Sequence, residues 1–325
     1  MLTRGVFVLG MHRSGTSLAT RLASLLGLSL GQGPLVPPTE GNPRGHWESA
    51  ELRDVNEDLL ARLGGNWAGP PPLDDDWEHD ARLDAARADA RAAFARVYGP
   101  APRLWVWKDP RNCITLPFWE HEMGVEAVVL LVHRNPLAVA DSLARRDDLS
   151  KAVSLALWER YVRDGLRNGC GRPVLSASSD EIVEDPVAWA GRVRNMLVSH
   201  GFDLGPGAGA PALAAAVDAR LQRAPYTARD LAADSDVSDA QRALFDALAK
   251  VSGQSDHFVM PDLPPPTPGI DLLLTEHARF YAEREALRDK LITARAYDQR
   301  ILNVRRLKIR TYRLYRRVIP DRRRG

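Results

Sequence analysis

The stretch VFVLGMHRSGTSLATRL, residues 6 to 22, constrains the fold more than any other. Val6–Leu9 is a short apolar run that ends at Gly10, the pattern of a strand buried on both faces. From Ser14 onward, Leu18, Leu22, Leu25 and Leu26 recur at helical spacing. Only a glycine turn separates the two patterns. A chain that passes so abruptly from strand to helix must lay that helix on a sheet, and the sheet is parallel if the pattern repeats.

It does repeat. Ala127–Val132 is an unbroken apolar run of the kind found in central parallel strands, and Pro136 suits the first turn of a following helix. Leu104–Trp107 and Pro173–Ala177 read as further strands, the first stopped by Pro110. Helices are expected after Ser49, over Trp77–Tyr98, Ser150–Arg167, Pro186–His200 and Asp239–Val251. Residues 31–47 and 64–76 are rich in Gly and Pro and read as loops, and Gly205–Ala216, rich in Gly, Ala and Pro and without a clear pattern, is expected to be mobile. The expected fold class is α/β: a three-layer, P-loop-like parallel sheet flanked by helices. Three regions are expected: a domain over 1–260, a proline-rich linker over 261–269, and a basic helical extension over 270–325.

Composition narrows the classes of function. An apolar content of 45% and a charged content of 26% suit a soluble globular chain of 325 residues. No apolar run approaches the ~20 residues of a membrane span, and Val6–Leu9 is too short for the core of a signal peptide. Cys113 and Cys170 form neither a disulfide framework nor a zinc signature. A cytoplasmic protein with free thiols is expected. Its Ala/Arg/Gly/Pro-heavy composition points to a bacterial source. The net charge of +2 conceals a basic tail, since residues 288–325 hold fourteen Lys/Arg against three Asp. The tail therefore carries +11 and the remainder −9.

The glycine turn has a chemical meaning. Gly10 and Gly15 have the spacing of G-x-x-x-x-G-K-[ST], the loop that cradles nucleotide phosphates, but Thr16 stands where the lysine belongs. The basic residue is Arg13 instead. Backbone N–H groups and a helix N-terminus still converge on one point and attract an anion. Arg13 adds a forked cation, and Thr16 and Ser17 add hydroxyls. Without the lysine, and with no strand that reads as ending in an acidic Mg²⁺ ligand, a metal-bound triphosphate fits poorly. A 5′-phosphate bearing one further anionic group fits better.

A second anion site follows the central strand. Arg134 comes directly after it, and Ser142 lies eight residues on, along the next helix. Ligands of parallel α/β sheets sit beyond the carboxyl ends of the strands. Arg134 and the glycine loop should therefore open on one crevice, as a nucleotide with phosphates at both ends requires.

The motif HRSGTS at 12–17, with Arg134 and Ser142, resembles the sulfotransferase superfamily, in particular its bacterial and carbohydrate-type members. The matches run over roughly residues 1–205. This resemblance implies a co-substrate, 3′-phosphoadenosine 5′-phosphosulfate (PAPS). Its 5′-phosphosulfate would be held by Arg13, Ser14, Gly15, Thr16 and Ser17, and its 3′-phosphate by Arg134 and Ser142. It implies no metal. The segment from Ala177, with Glu184-Asp185-Pro186, resembles a structural stretch of the same family.

For the chemistry, GNPRGHWES at 41–49 is a Gly/Pro loop that delivers His46, Trp47 and Glu48 to a helix start. The resemblance places the presumed base at Glu48, with His46 as the other candidate. Lys108, in VWKDPRN just past a strand, matches a K-x-P-R stretch and would stabilise the sulfonate or bridging oxygen, beside Arg13. Trp105 and Trp107 read as strand packing. The expected acceptor is a hydroxyl on a carbohydrate, a glycosylated metabolite or a lipid-linked saccharide.

Two other readings stay open: a P-loop kinase using ATP and Mg²⁺, and a membrane-docked binding protein without catalysis. The tail allows peripheral membrane contact at the inner face, a dimerising helix through Phe280, Leu287, Leu291, Tyr297, Ile301, Val304, Leu307 and Leu314, or a solvated extension. No nucleic acid is expected, because charge alone supports it and no motif does.

Overall fold

The computed structural model describes residues 3–39, 42, 45–100, 103–217 and 226–293. Five strands, β1 (Thr3–Leu9), β2 (Val106–Lys108), β3 (Val125–His133), β4 (Val174–Ser178) and β5 (Gly253–Ser255), form one sheet in the order β2-β1-β3-β4-β5. The first four are parallel, and β5 adds an antiparallel edge beside β4. The main helices are α1 (Thr16–Leu25), α2 (Ala50–Arg62), α3 (Asp84–Tyr98), α4 (Asn112–Met123), α5 (Pro136–Asp147) and α6 (Lys151–Gly169). They are followed by α7 (Ser179–Glu184), α8 (Pro186–Ser199), α9 (Ala210–Ala214), α10 (Ala228–Ala233) and α11 (Asp239–Lys250).

Alternation along β3 sets the layers. Val128, Leu130 and Val132 are buried against residues of α1 and α8, including Leu22, Trp189 and Met196. Leu131 points the other way, toward α4 and α6. A Cβ added to Gly165 would stand 3.4 Å from Cys113 Sγ and 3.5 Å from Leu131 Cδ1, so α6 lies close on that face. This is the three-layer α/β arrangement the alternation implies. Trp105 and Trp107 are both fully buried, as strand packing requires.

Local chemistry explains most boundaries. Asn135 accepts from the Leu137 N–H at 2.9 Å and Pro136 opens α5. Asp185 accepts from the Ala188 N–H at 2.8 Å, with Pro186 opening α8. Helix α4 carries no such signal and contains Pro117, which hides it from pattern reading. Pro117 cannot donate to the Cys113 carbonyl four residues back. The side chain of Asn168, on α6, donates to that carbonyl at 2.8 Å and so replaces the missing bond.

Three expectations change. Trp77–Tyr98 is not one helix: two short 3₁₀ turns, Trp77–His79 and Ala81–Leu83, precede α3. Asp80 between them is extended and accepts from the Arg82 N–H at 2.8 Å, capping the second turn and ending the first. The patternless Gly205–Ala216 contains α9, and Leu213 and Ala216 join the core. β5 is three residues long and opens with glycine, too little to read as a strand.

The chain divides between His277 and Ala278, later than the proline run. Glu159, fully buried on α6, accepts from Thr267 N at 3.0 Å and from Thr267 Oγ1 at 2.6 Å. Arg163 also pairs with Glu159. The end of the proline run is thus bonded to the first unit. In the second unit residues 278–293 are helical, and Phe280, Leu287 and Leu291 are exposed. Tyr297, Ile301, Val304, Leu307, Leu314 and the basic run from Arg300 lie outside the described residues. Among those described, no helix is long and apolar enough to cross a membrane.

Candidate functional site

Four parallel strands end on one side of the sheet, and the segment after each strand lines one cavity of about 520 Å³. β1 leads into the glycine loop, β2 ends on Lys108, β3 is followed by Arg134, and β4 leads into α7, whose Ser179, Asp180, Val183 and Glu184 face the space.

Two glycines make the loop possible. A Cβ on Gly10 would stand 2.3 Å from the Val132 carbonyl oxygen, so β1 and β3 can be neighbours at their ends only without a side chain there. Gly15 adopts φ +90°, and its Cβ would lie 2.9 Å from Ser179 Cβ. Behind the loop, the Gly10 N–H donates to Cys113 Sγ at 3.0 Å, while burial raises that thiol's pKa and keeps it protonated. Arg13 takes a left-handed φ of +70°, unusual for a residue with a side chain. Helix α1 begins at Thr16 with no side-chain cap, which leaves its positive end to the cavity.

The expected site residues come together with one exception. Arg13, Gly15, Thr16, Ser17, His46, Glu48, Lys108, Arg134 and Ser142 all line the cavity. Arg13 Nε donates to Ser142 Oγ at 2.7 Å, and Arg134 donates to the Arg13 carbonyl at 3.2 Å. The two arginine motifs, 121 residues apart, are thus in direct contact. Ser14 is the exception: its hydroxyl is buried beneath the loop without a hydrogen-bond partner and does not line the cavity.

Lys108 is a second hub, in contact with the glycine loop. Its ammonium pairs with Glu48, donates to the His46 carbonyl at 3.2 Å and reaches Ser17 Oγ at 3.4 Å. Ser17 Oγ itself donates to the His46 carbonyl at 3.1 Å. Both charged side chains of the Lys108–Glu48 pair are over nine-tenths buried, so each needs the other. Trp47, between His46 and Glu48, has φ +58°, which turns its neighbours inward. Burial, then the Lys108 charge, lowers the His46 pKa to about 4, leaving a neutral imidazole at physiological pH.

Asp109 directly follows β2. Its oxygens are committed elsewhere: it accepts from Arg111 N at 3.0 Å, from Arg111 NH1 at 2.8 Å and from Asn56 at 2.9 Å. Arg111 also pairs with Glu57, and neither Asp109 nor Arg111 lines the cavity.

Sequence reasoning missed His12, Arg146 and Trp67. His12 lines the cavity and is buried, with Nε2 unpartnered. Its ring lies 4.7 Å from Trp67 and 5.7 Å from Tyr161. Burial, then Arg111, Arg146 and Lys108, lowers its pKa well below the usual value. Arg146 lines the cavity from the last turn of α5 and sits 5.6 Å over the Trp67 ring. The signal for Arg146 was available: it follows Ser142 by four positions, hence on the same helical face. Trp67 lay in a stretch legible only as a loop.

A scan against protein-family models finds no match, and a search of the curated proteins finds none. Among solved structures, this chain is similar to the sulfotransferase domain of the Synechococcus PCC 7002 olefin synthase, at 18% identity over 85% of this chain and 94% of that one, with a TM-score of 0.37. It is similar also to the sulfotransferase domain of the curacin biosynthetic pathway, at 16% identity, 85% and 97% coverage and a TM-score of 0.38. A sulfotransferase from Mycobacterium tuberculosis matches at 16% identity, 66% and 71% coverage and a TM-score of 0.36. With TM-scores this low, no residue role is carried over from any of the three.

Proposed function

We propose that this chain is a sulfotransferase that moves a sulfuryl group from PAPS to an acceptor hydroxyl, with carbohydrates and glycoconjugates as the acceptor class. One observation carries the reading: Arg13, at the uncapped start of α1, and Arg134, past β3, share a cavity with the buried Lys108–Glu48 pair. A donor with anions at both ends of an adenosine needs the first two, and hydroxyl sulfation needs the third. The fit to the donor rests on this chain's own groups: an anion-attracting helix start, forked cations and a cavity within the usual size for a small ligand.

The roles follow from position. Arg13, the loop N–H groups, Thr16 and Ser17 hold the 5′-phosphosulfate, and Arg134 with Ser142 holds the 3′-phosphate. Lys108 neutralises charge that develops on the bridging oxygen as the sulfur–oxygen bond to the phosphate breaks. Glu48 accepts the proton of the acceptor hydroxyl as the new sulfur–oxygen bond forms. The products are a sulfate ester and 3′-phosphoadenosine 5′-phosphate (PAP). The sulfuryl group needs positioning and charge stabilisation more than a strong base. His46, neutral and adjacent, orients the loop that carries Glu48.

The test is calorimetric titration of the full chain with PAP in the presence of a chelator, followed by transfer of radiolabelled sulfur from PAPS into an extract of the native organism. Tight metal-independent PAP binding and a labelled product are expected. Binding of ATP only with Mg²⁺, and none of PAP, would overturn the reading in favour of a kinase.

A further inference from the structure

Arg146 is not among the residues assigned above to the donor, yet it lines the cavity. The site beneath it is rigid. The Tyr161 hydroxyl donates to the Trp67 carbonyl at 2.8 Å, and Arg160 donates to the Pro71 carbonyl at 2.7 Å, so α6 fixes the loop that carries Trp67. Trp67 then supports Arg146 at 5.6 Å and packs against His12 at 4.7 Å. A guanidinium held over an indole keeps its edge for hydrogen bonding. Its hydrogen bond to Asp147, at 2.6 Å, runs through Nε rather than through the edge formed by the two terminal nitrogens. Beside it, His12 is over nine-tenths buried and its Nε2 has no partner, a cost that a bound polar group would remove. Arg145, one position earlier, lines the same cavity.

We infer that Arg146, with His12, forms an acceptor subsite that selects a hydroxyl compound carrying a negative group, a carboxylate or a phosphate ester, near the hydroxyl to be sulfated. This rests on the reading of the chain as a sulfotransferase and adds its acceptor class. Three features favour an anion over a neutral acceptor. The guanidinium presents parallel donors matched to carboxylate and phosphate oxygens. Of the three carboxylates that line the cavity, Glu48 is already paired with Lys108, and Asp180 and Glu184 belong to α7. Asp147 binds Arg146 through Nε, not through the edge formed by its two terminal nitrogens.

The experiment uses the full chain saturated with PAP. Three probes differing in one group are titrated: methyl β-D-glucoside, methyl β-D-glucuronide and methyl β-D-glucoside 6-phosphate. At least one anionic probe is expected to bind roughly tenfold or more tightly than the neutral one, the scale of a charge-assisted hydrogen bond. The better of the two identifies carboxylate or phosphate as the group recognised. Arg146→Gln should erase the preference and leave PAP affinity within about threefold, and His12→Phe should weaken the anionic probe alone. Equal binding of the three probes, or binding of none, overturns the inference. So does a large loss of PAP affinity in Arg146→Gln, which would assign the arginine to the donor. Failure of PAP to bind wild-type protein refutes the sulfotransferase reading instead.

Discussion

The two walls of the cavity are built from different material. The glycine-loop wall comes from residues at short, fixed offsets: Gly10 to Ser17 across one turn, and Arg134 to Ser142 along one strand end and helix start. The other wall collects His46, Glu48, Lys108 and Arg146 from separate stretches of the chain, some of them irregular loops. An anion end can be made largely of backbone, because a helix start and a glycine turn supply the dipole and the N–H groups. A reacting end needs particular side chains at particular distances, and only the tertiary fold brings them together. The first wall should therefore govern binding of the nucleotide, and the second turnover and acceptor choice.

The largest expected effect tests the second wall. Glu48→Gln keeps the shape and removes the proton acceptor, so kcat should fall by about 10²–10⁴; it also leaves Lys108 without its counter-charge, which a parallel measurement of the melting temperature reads. PAP affinity, measured by calorimetry, should change little. If PAP affinity falls as far as kcat, the two walls are not separable. Lys108→Ala is a poorer probe, because it strands Glu48 as an unpaired buried carboxylate and should also destabilise the fold by roughly 3–5 kcal/mol.

Acid should act through buried imidazoles, two that line the cavity and one, His133, that does not. His46 and His133 each have pKa values lowered to about 4, by burial first, and His12 is lowered as well. The unfolded chain protonates these groups near pH ~6.5, while the folded chain holds them neutral. Their contribution to stability is therefore fully present above about pH 6.5 and is lost as pH falls toward about 4. His133, with both ring nitrogens buried and unpartnered, should account for up to about 3 kcal/mol of that loss. Urea titrations of wild type and His133→Asn between about pH 7 and pH 4 would show a shallower dependence of stability on pH in the variant. Identical slopes would mean that His133 is solvated in the folded protein.

How much of this was legible in the sequence follows the same division. The parallel sheet and the glycine loop were readable because Val6–Gly10 and Ala127–Val132 are unbroken apolar runs closed by recognisable turns. That the glycine loop and Arg134 open on one crevice was implied by strand-end topology, whereas the direct contact of Arg13 with Ser142 was not. By contrast, α4 was invisible because Pro117 argues against a helix unless Asn168, far along the chain, repairs the bond it breaks. The Trp67 shelf was invisible because nothing in a Gly/Pro loop predicts that Tyr161 will pin it. Lys108 could be singled out, but its partner could not be known until the loop around Trp47 closed.

Glycine substitution sharpens the comparison from the first wall. Gly15→Ala places a Cβ at φ +90°, 2.9 Å from Ser179 Cβ. The strain of about 1–3 kcal/mol should appear in the melting temperature and as weakened PAP binding together. Arg134→Gln should instead leave the melting temperature nearly unchanged and weaken PAP by roughly ten- to a hundredfold, as expected for losing a charged contact to a phosphate. Arg134 half-supports the loop through the Arg13 carbonyl, so a small thermal shift is consistent with its position.

The smallest expected effect is the most discriminating. Ser142→Ala removes one neutral hydroxyl, the acceptor of the Arg13 Nε bond at 2.7 Å. If that bond exists chiefly to park Arg13 between turnovers, its loss removes one resting contact and PAP affinity should barely change. If Ser142 also contacts the 3′-phosphate, PAP should bind severalfold more weakly, by about 1 kcal/mol. Adenosine 5′-phosphate, which lacks the 3′ group, should then bind the variant and the wild type alike. A loss that is equal for both nucleotides would place Ser142 with the glycine loop rather than with Arg134, and would move the boundary between the nucleotide's two anion sites by one helical turn.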